Sequence, residues 1–484
     1  MKIILLRLPI KYNLSSASKV TSPGGYLRAK LYCEWLVRYP PLGLLYQAAL
    51  LKRDNHDVVL LDAELMGYKL NTIANILKKI KPDVLCSTVN IYNPKYELDA
   101  LKFLKDNFKC TIVVRGHFPR LYPKETILNK HIDFALYGKG FNCLCSLLKA
   151  IKDGLLFKEI DGLIYRQKNG QVIQTQPEKL FNLDKLPFPA RNLIDNNIYT
   201  TALTISDKFT TMIASIGCPY SCTYCVDKTT PYQTRSVDKI IAEIEECVNK
   251  FNIEEISFLD STFTIDREKT LHLCCKIIEK NIKIKWTIRT RPDLVDEELL
   301  NYLAKAGCIS IHYGIESGCE QILNRLNRKI TTEKTRSIID LTSKKGFIVL
   351  GFFMIGNDGD TVETIRDTIN FAKNLNLHFA QFNTAIALPS SEISETLKKK
   401  INRDLWLESY KGANIPINRW KPQGTVLSSE QLTYWTKKAM QTYYLRSQYL
   451  WKMLKFKYTY FILFRQVKIL FILIKLKFLR LLSF

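Results

Sequence analysis

Three thiols stand within eight residues in the stretch SIGCPYSCTYCVDK, residues 215–228: Cys218, Cys222 and Cys225, with Tyr224 just before the last. A disulfide uses two cysteines, and a closed structural zinc site uses four nitrogen or sulfur ligands. No second CxxC pair and no neighbouring histidine supplies a fourth ligand. Cys222-Thr-Tyr-Cys225 alone could act as a redox pair, but Cys218 then has no role. A four-iron cluster held by three thiolates uses all of them and leaves one iron without a protein ligand. Such an iron can bind a small molecule and pass it an electron.

The elements around this loop follow from the apolar pattern. In the first 150 residues, KIILLRL (2–8), DVVLLDA (57–63), DVLCSTV (83–89), TIVVRG (111–116) and DFALYG (133–138) are continuous apolar runs, as in strands buried on both faces. Helical patterns at 41–53, 70–80 and 95–107 lie between them. Alternating βα units of this length predict a doubly wound, Rossmann-like parallel sheet over residues 1–155. Ligands of such sheets sit beyond the carboxyl ends of the strands. The candidate ligand positions are therefore Pro9, Thr88 to Asn90, Arg115 to His117 including Gly116, and Gly138 to Gly140.

Residues 156–200 read as a linker, containing a polar β-like segment with a turn at Asn169-Gly170 and the proline-bearing FNLDKLPFPARNL (181–193). From 209 the alternation restarts. Strand patterns at 210–215, 255–260, 284–290, 309–317, 348–356 and 379–386, with helical segments such as 236–251 and 296–307 between them, predict a partial (β/α)6 barrel over 201–395. The cysteine loop follows its first strand directly, at the end of a parallel barrel where functional groups gather.

Composition narrows the classes. At 484 residues and 46% hydrophobic content the chain is globular and long enough for two or three cores. Thirteen cysteines spread from Cys33 to Cys319 are unlike a secreted disulfide framework. The opening MKIILLRLPIKYN reads as a strand rather than a signal peptide, so a reducing, cytoplasmic setting is expected. The net charge of +25 is uneven: after Glu430 there is no acidic residue, while 431–484 carries eleven Lys and Arg interleaved with Leu, Ile, Phe and Tyr. Within a helical C-terminal region at 396–484, this stretch reads as a basic amphipathic tail suited to the inner face of an anionic membrane. The alternative is a helix packed on the enzyme body with a solvated basic face. Its aliphatic content favours lipid over nucleic acid, and no nucleic-acid partner is expected.

CxxxCxxC with an aromatic before the last cysteine, after the first strand of a βα barrel, resembles the radical S-adenosylmethionine (SAM) superfamily. There the open iron of a 4Fe-4S cluster chelates the amino and carboxylate groups of SAM, and reduction cleaves SAM to a 5′-deoxyadenosyl radical. FLDSTFTID (258–266), TIRTRPDLVDEELLNYLAKAGC (287–308), IHYGIESGCEQIL (311–323), GFFMIGNDGDTVETI (351–365) and the LDKLPFPAR linker are similar to the subfamily with an N-terminal cobalamin (B12)-binding domain. That resemblance makes residues 1–155 a cobalamin-binding domain. It implies a methyltransferase acting on an unactivated carbon, here of an apolar or lipid-like substrate given the tail. A radical ring-forming enzyme of hopanoid-type lipids or porphyrins is the alternative. Such enzymes draw electrons from a low-potential donor, a flavodoxin or ferredoxin.

The resemblance also assigns residues. Cys218, Cys222 and Cys225 hold the cluster. Glu316, in Gly-Ile-Glu-Ser, matches the position that meets the ribose or amino group of SAM, Asp260 lies where relatives meet the methionyl amine, and Tyr224 stands beside the adenine. The backbone of Met354 to Gly356 would serve the adenine edge. Arg291 either grips the SAM carboxylate or pairs with Asp293, and His312, on the face of Glu316, either lines the barrel or fills its core.

For cobalamin the resemblance points to Pro9, Thr88, Asn90, Gly116, Gly138 and Gly140. His56 reads as structural, because Asp54-Asn55-His56 lacks the glycine of the cobalt-ligating motif. Two loops depart from the family pattern: Arg115-Gly116-His117-Phe118 replaces Gly-Gly-Pro-His, and Gly138-Lys139-Gly140-Phe141 replaces Gly-Glu-Gly-Glu. The other reading is a sheet domain that has lost its ligand. A tRNA methylthiolating enzyme would need a second cysteine trio, whereas Cys33, Cys86 and Cys110 are scattered. A non-catalytic 4Fe-4S sensor or scaffold would have no need of the strand-end pattern at 260, 291 and 316.

Overall fold

The computed structural model describes residues 1–9, 37–138, 141–201, 203–412, 421–422 and 424–455. They form two compact units. Gly140 and the tail residues 456–484, on which a cobalamin and a membrane role were expected, lie outside the described residues.

The first unit is built on strands β1 (Lys2–Arg7), β2 (Asp57–Asp62), β3 (Val84–Thr88), β4 (Thr111–Arg115), β5 (Phe134–Leu136), β6 (Leu163–Arg166) and β7 (Val172–Gln174), in the spatial order β2-β1-β3-β4-β5-β6-β7. The first five are parallel and the last two antiparallel. Alternate residues feed opposite cores: Ile4, Leu6, Leu85 and Val114 pack on one face, and Ile3, Leu5, Cys86 and Val113 on the other. Burial on both faces is why these strands read as unbroken apolar runs.

Two boundaries differ from the sequence expectation. The hairpin at 163–174, expected in a linker, is the edge of the first sheet, because Leu163, Ile164 and Tyr165 bury their side chains there. Trp406, Leu407 and Tyr410, expected in a separate C-terminal region, pack on the first unit, where the Tyr410 ring lies 4.7 Å from that of Phe118.

The second unit carries β8 (Phe209–Met212), β9 (Glu255–Phe258), β10 (Lys285–Thr290), β11 (Cys308–Glu316), β12 (Ile348–Ile355) and β13 (Phe379–Thr384), all parallel and paired in chain order. With no reversal in strand order, the crossover helices share one face, and the sheet curls as a partial barrel with an inner face of its own. Ile256, Trp286, Ile288, Ile311, Val349 and Phe382 form the helix-side core. The helices start where a short polar side chain accepts an orphan amide: Ser236, Asp266, Asp296, Thr331 and Thr361 each cap one.

The Ser429–Tyr444 helix, with its own capping box at Ser428 and Gln431, belongs to this unit. Leu432, Ala439 and Tyr443 are buried in the barrel core. Tyr443 donates its hydroxyl to the Leu377 carbonyl at 3.0 Å, and Lys452 Nζ donates to the same carbonyl at 3.0 Å. The first part of the basic region is therefore a docked helix, the second of its two sequence readings. Among the described residues no helix is long and apolar enough to cross a membrane.

Candidate active site

The cysteine loop is launched from β8 and closed by a two-stranded ribbon, Ser215–Ile216 against Gln233–Thr234. Gly217, at φ +74°, has the carbonyl oxygens of Thr230 and Pro231 2.4 Å from where a Cβ would stand. Only glycine closes the loop neck here. Asp260, beyond the end of β9, is buried; its carboxylate accepts the Ala214 amide at 3.0 Å and the Ser215 hydroxyl at 2.6 Å. Burial pushes its pKa up, and these hydrogen bonds pull it back. Asp260 thus holds the start of the loop, and any contact with SAM would use its remaining lone pairs.

The far side of the loop rests on residues 326–328. The Leu326 carbonyl accepts the Thr223 amide at 3.3 Å, and the Asn327 side chain donates to the Ser221 carbonyl and hydroxyl at 3.1 and 2.7 Å. Cys222 is buried, Cys218 and Cys225 half-buried. Cys225 Sγ accepts the Asp227 amide at 3.4 Å, and Arg291 Nη1 lies 3.9 Å from Cys222 Sγ. Three thiols on one clamped loop, with N–H donors aimed at two sulfurs, suit a cluster whose charge such bonds stabilise.

Glu316 ends β11 in the left-handed region, at φ +69°. Its Oε1 accepts the Tyr224 hydroxyl at 3.0 Å and lies 3.9 Å from Arg328 Nη1. Burial pushes the Glu316 carboxyl up, and Arg328 is the main influence in the other direction. Oε2 has no partner among the described residues, and Arg328 Nε is a buried donor also without one. A free acceptor and a free donor at one strand end suit the hydroxyl, amino and carboxylate groups of SAM. A Cβ on Gly314 would come within 2.8 Å of Glu316 Oε1, so the glycine of Gly-Ile-Glu-Ser makes room for that carboxylate.

Arg291 makes the Asp293 pair of its second sequence reading. It holds Asp293 in a bidentate pair at 2.9 and 2.8 Å, stacks 4.1 Å over the Tyr220 ring and keeps Nη1 toward Cys222. The pair is not at the surface, since Arg291 is only 4% exposed. At Met354 and Gly356, the expected adenine edge, the strand end closes into a turn. Gly356 donates its N–H to Asp360 at 2.9 Å, the Met354 carbonyl accepts the Asn357 amide side chain at 3.0 Å, and Leu432 fills the space beside Gly356. The Gly356 N–H is thus taken within the turn, while the Met354 carbonyl keeps a second lone pair. Arg328, Asn327 and Tyr220 were missed in the sequence. Asn327 follows a helix, the usual left-handed stop, but nothing local marks Arg328.

Of the expected cobalamin positions, Pro9 and Thr88 to Asn90 follow β1 and β3, where the strand order reverses and sheets of this type bind ligands. The two described glycines, by contrast, make room for the chain itself. Gly116, at φ +119°, would drive a Cβ to 2.5 Å from the Val89 carbonyl, and at Gly138 a Cβ would meet the Glu178 carboxylate at 2.4 Å. Glu178 also accepts the Asn142 and Cys143 amides at the start of the Phe141–Asp153 helix, at 3.1 and 3.3 Å. A larger residue at either position would displace Val89 or Glu178.

The Asn90 loop is tied down by Glu97, which accepts the Asn90 amide at 2.5 Å and its side chain at 3.3 Å. Burial pushes the Glu97 carboxyl up to about 8. Unfolded, it loses its proton near 4.5; folded, it keeps it to about 8, so the stability it lends is complete below 4.5 and is lost as pH rises through 8. Between those values the folded state should lose roughly 1.4 kcal/mol per pH unit from this group. Urea unfolding of Glu97→Gln should therefore show a gain over the wild type that grows from pH 5 to pH 8. Parallel pH curves for the two proteins would remove Glu97 as the cause.

Residues 212–372 match the family described as the Radical SAM superfamily. That stretch of the chain is a radical SAM domain. The chain is 28% identical over 429 residues to a protein named as an uncharacterized methyltransferase of Pyrococcus horikoshii, covering 85% of this chain and 89% of that one. It is 25% identical to the anaerobic magnesium-protoporphyrin IX monomethyl ester cyclase of Rubrivivax gelatinosus, over 75% of this chain and 67% of that one. Its fold is similar to that of the radical SAM methyltransferase TsrM of Kitasatospora setae, solved with cobalamin and a [4Fe-4S] cluster. That match has a TM-score of 0.64 and 17% identity, over 82% of this chain and 75% of that one.

Proposed function

We propose that the chain is a cobalamin-dependent radical SAM methyltransferase acting on an unactivated carbon of an apolar or lipid-like substrate. The observation that carries the reading is the convergence of the clamped three-cysteine loop with Arg291, Tyr224, Glu316 and Arg328 at the strand ends of one barrel. The methyltransferase relative and the TsrM-like fold support methyl transfer, and the reversal of strand order beside Pro9 and Thr88 to Asn90 supports a cobalamin site. The lipophilic, basic composition of 431–484 supports the substrate class.

When bound, the cluster supplies the electron that cleaves SAM, and cobalamin carries the methyl group. The protein's part is placement. Cys218, Cys222 and Cys225 would hold the cluster, and Arg291 directs an N–H toward Cys222. Glu316 and Arg328 hold the polar end of SAM, while Asp260 and Gly217 fix the loop. A low-potential donor of the flavodoxin or ferredoxin kind delivers the electron.

Anaerobically reconstituted protein given SAM, cobalamin and such a reductant should release 5′-deoxyadenosine. With substrate it should also release S-adenosylhomocysteine and a product heavier by one methylene. The cyclase relative favours a second reading, ring formation without net methylation. 5′-Deoxyadenosine without S-adenosylhomocysteine would select it, and an intact cluster that never cleaves SAM would sink both.

A further inference from the structure

Arg289 and His312 are paired in register on the adjacent strands β10 and β11. Their flanking residues Ile288 and Ile311 belong to the helix-side core, so strand alternation puts Arg289 and His312 on the inner face of the barrel. The two arginines of this region are met differently. Arg291 is satisfied by a bidentate carboxylate, whereas Arg289 is half-buried and its guanidinium meets the Tyr39 hydroxyl at 3.3 Å and no carboxylate among the described residues. A half-buried guanidinium that faces no carboxylate keeps donors in its planar fork for a carboxylate or phosphate.

His312 does not supply competing charge. Burial first, and Arg289 second, hold its imidazole down at about 3, so it is neutral and offers one donor and one acceptor. Beside it the surface turns apolar: the Phe352 ring lies 6.0 Å from the His312 ring, and Leu350 and Met354 share that face of β12.

We propose that Arg289 and His312 form an anion subsite on the inner face of the barrel, so that the organic substrate is an amphiphile whose carboxylate or phosphate seats there with its apolar body along Phe352. The proposal rests on the radical SAM reading only in taking this inner face as the substrate's place. SAM's own carboxylate is the other source of the same chemistry. It is disfavoured because the cluster side is occupied by Arg291, and Arg289 lies two residues deeper along the strand, about 6–7 Å.

The test is equilibrium dialysis of full-length, cluster-loaded protein with octanoate, octyl phosphate and octanol, with SAM binding measured on the same samples. A charge-assisted contact should make both anions bind about 10–100-fold more tightly than octanol. Arg289→Gln should abolish that preference, Arg289→Lys should restore part of it, and SAM affinity should change by less than about twofold in both. Octanol binding as well as octanoate would overturn the proposal. So would an Arg289→Gln variant that loses SAM as strongly as octanoate, which would assign the guanidinium to SAM. Should Arg289→Gln fail to fold, the wild-type ranking and Arg289→Lys still decide. Dialysis needs no turnover, so a failure of SAM cleavage would be seen separately from a failure of anion preference.

Discussion

Replacing Cys222 by alanine is expected to abolish SAM cleavage. The loop offers three thiols and no spare: no other cysteine lies between Cys145 and Cys218, and the next after Cys225 is Cys247, buried in a helix. Loss of an outer partner of a metal ligand typically costs about 10–100-fold in affinity or activity. Loss of the ligand itself should exceed that, and a fall of at least about 1,000-fold in 5′-deoxyadenosine is expected, on the order of the outer-shell effect compounded. Iron content and the visible absorbance of the reconstituted protein should fall with it. Cys275→Ala, a half-buried cysteine on the Arg267–Glu279 helix, should keep both. A Cys222→Ala protein with full iron and wild-type cleavage would mean that the cluster is held elsewhere.

What the sequence revealed and what it hid divide along contact distance. The β strands of both units were legible because parallel strands buried under helices write continuous apolar runs. The cysteine loop was legible because its spacing is local. The hairpin at 163–174 was hidden because its polar turn and short strands resemble a linker until Leu163 to Tyr165 find the edge of β5. The departure at Arg115 to Phe118 looked like a damaged ligand loop, but Phe118 is buried against Tyr410, nearly three hundred positions away in the chain. Arg115 reaches the Gly43 carbonyl and Gln47 at 3.3 Å. Both changes are compensated by partners that no local pattern names. Gly116 and Gly138, expected near a ligand, also stand where a Cβ would meet Val89 or Glu178 of the chain itself, which no local pattern names.

Arg328 is the case where a missed residue carries the larger energetic effect. It is 4% exposed, its Nη2 donates to the Gly314 carbonyl, and Nη1 faces Glu316, itself 7% exposed. Arg328→Ala leaves a buried carboxylate with Tyr224 as its remaining partner, and breaking one side of such a pair costs about 3–5 kcal/mol. The cost depends on pH. Glu316 is already pushed up by burial, and without Arg328 it rises further; protonation then relieves the penalty at low pH, and the loss grows as pH increases. Urea unfolding of Arg328→Ala should therefore show a larger deficit at pH 8 than at pH 5. Glu316→Gln keeps an acceptor for Tyr224 but strands the cation. The double variant should be less unstable than the two single losses summed, by about 0.5–3 kcal/mol. In folded Glu316→Gln, SAM should bind about 10–100-fold more weakly, since a charged acceptor has been lost. Unchanged SAM affinity in that variant would restrict Glu316 to holding Tyr224 and Arg328 in place. Additive stabilities in the double variant would show that the two charges do not act as a pair.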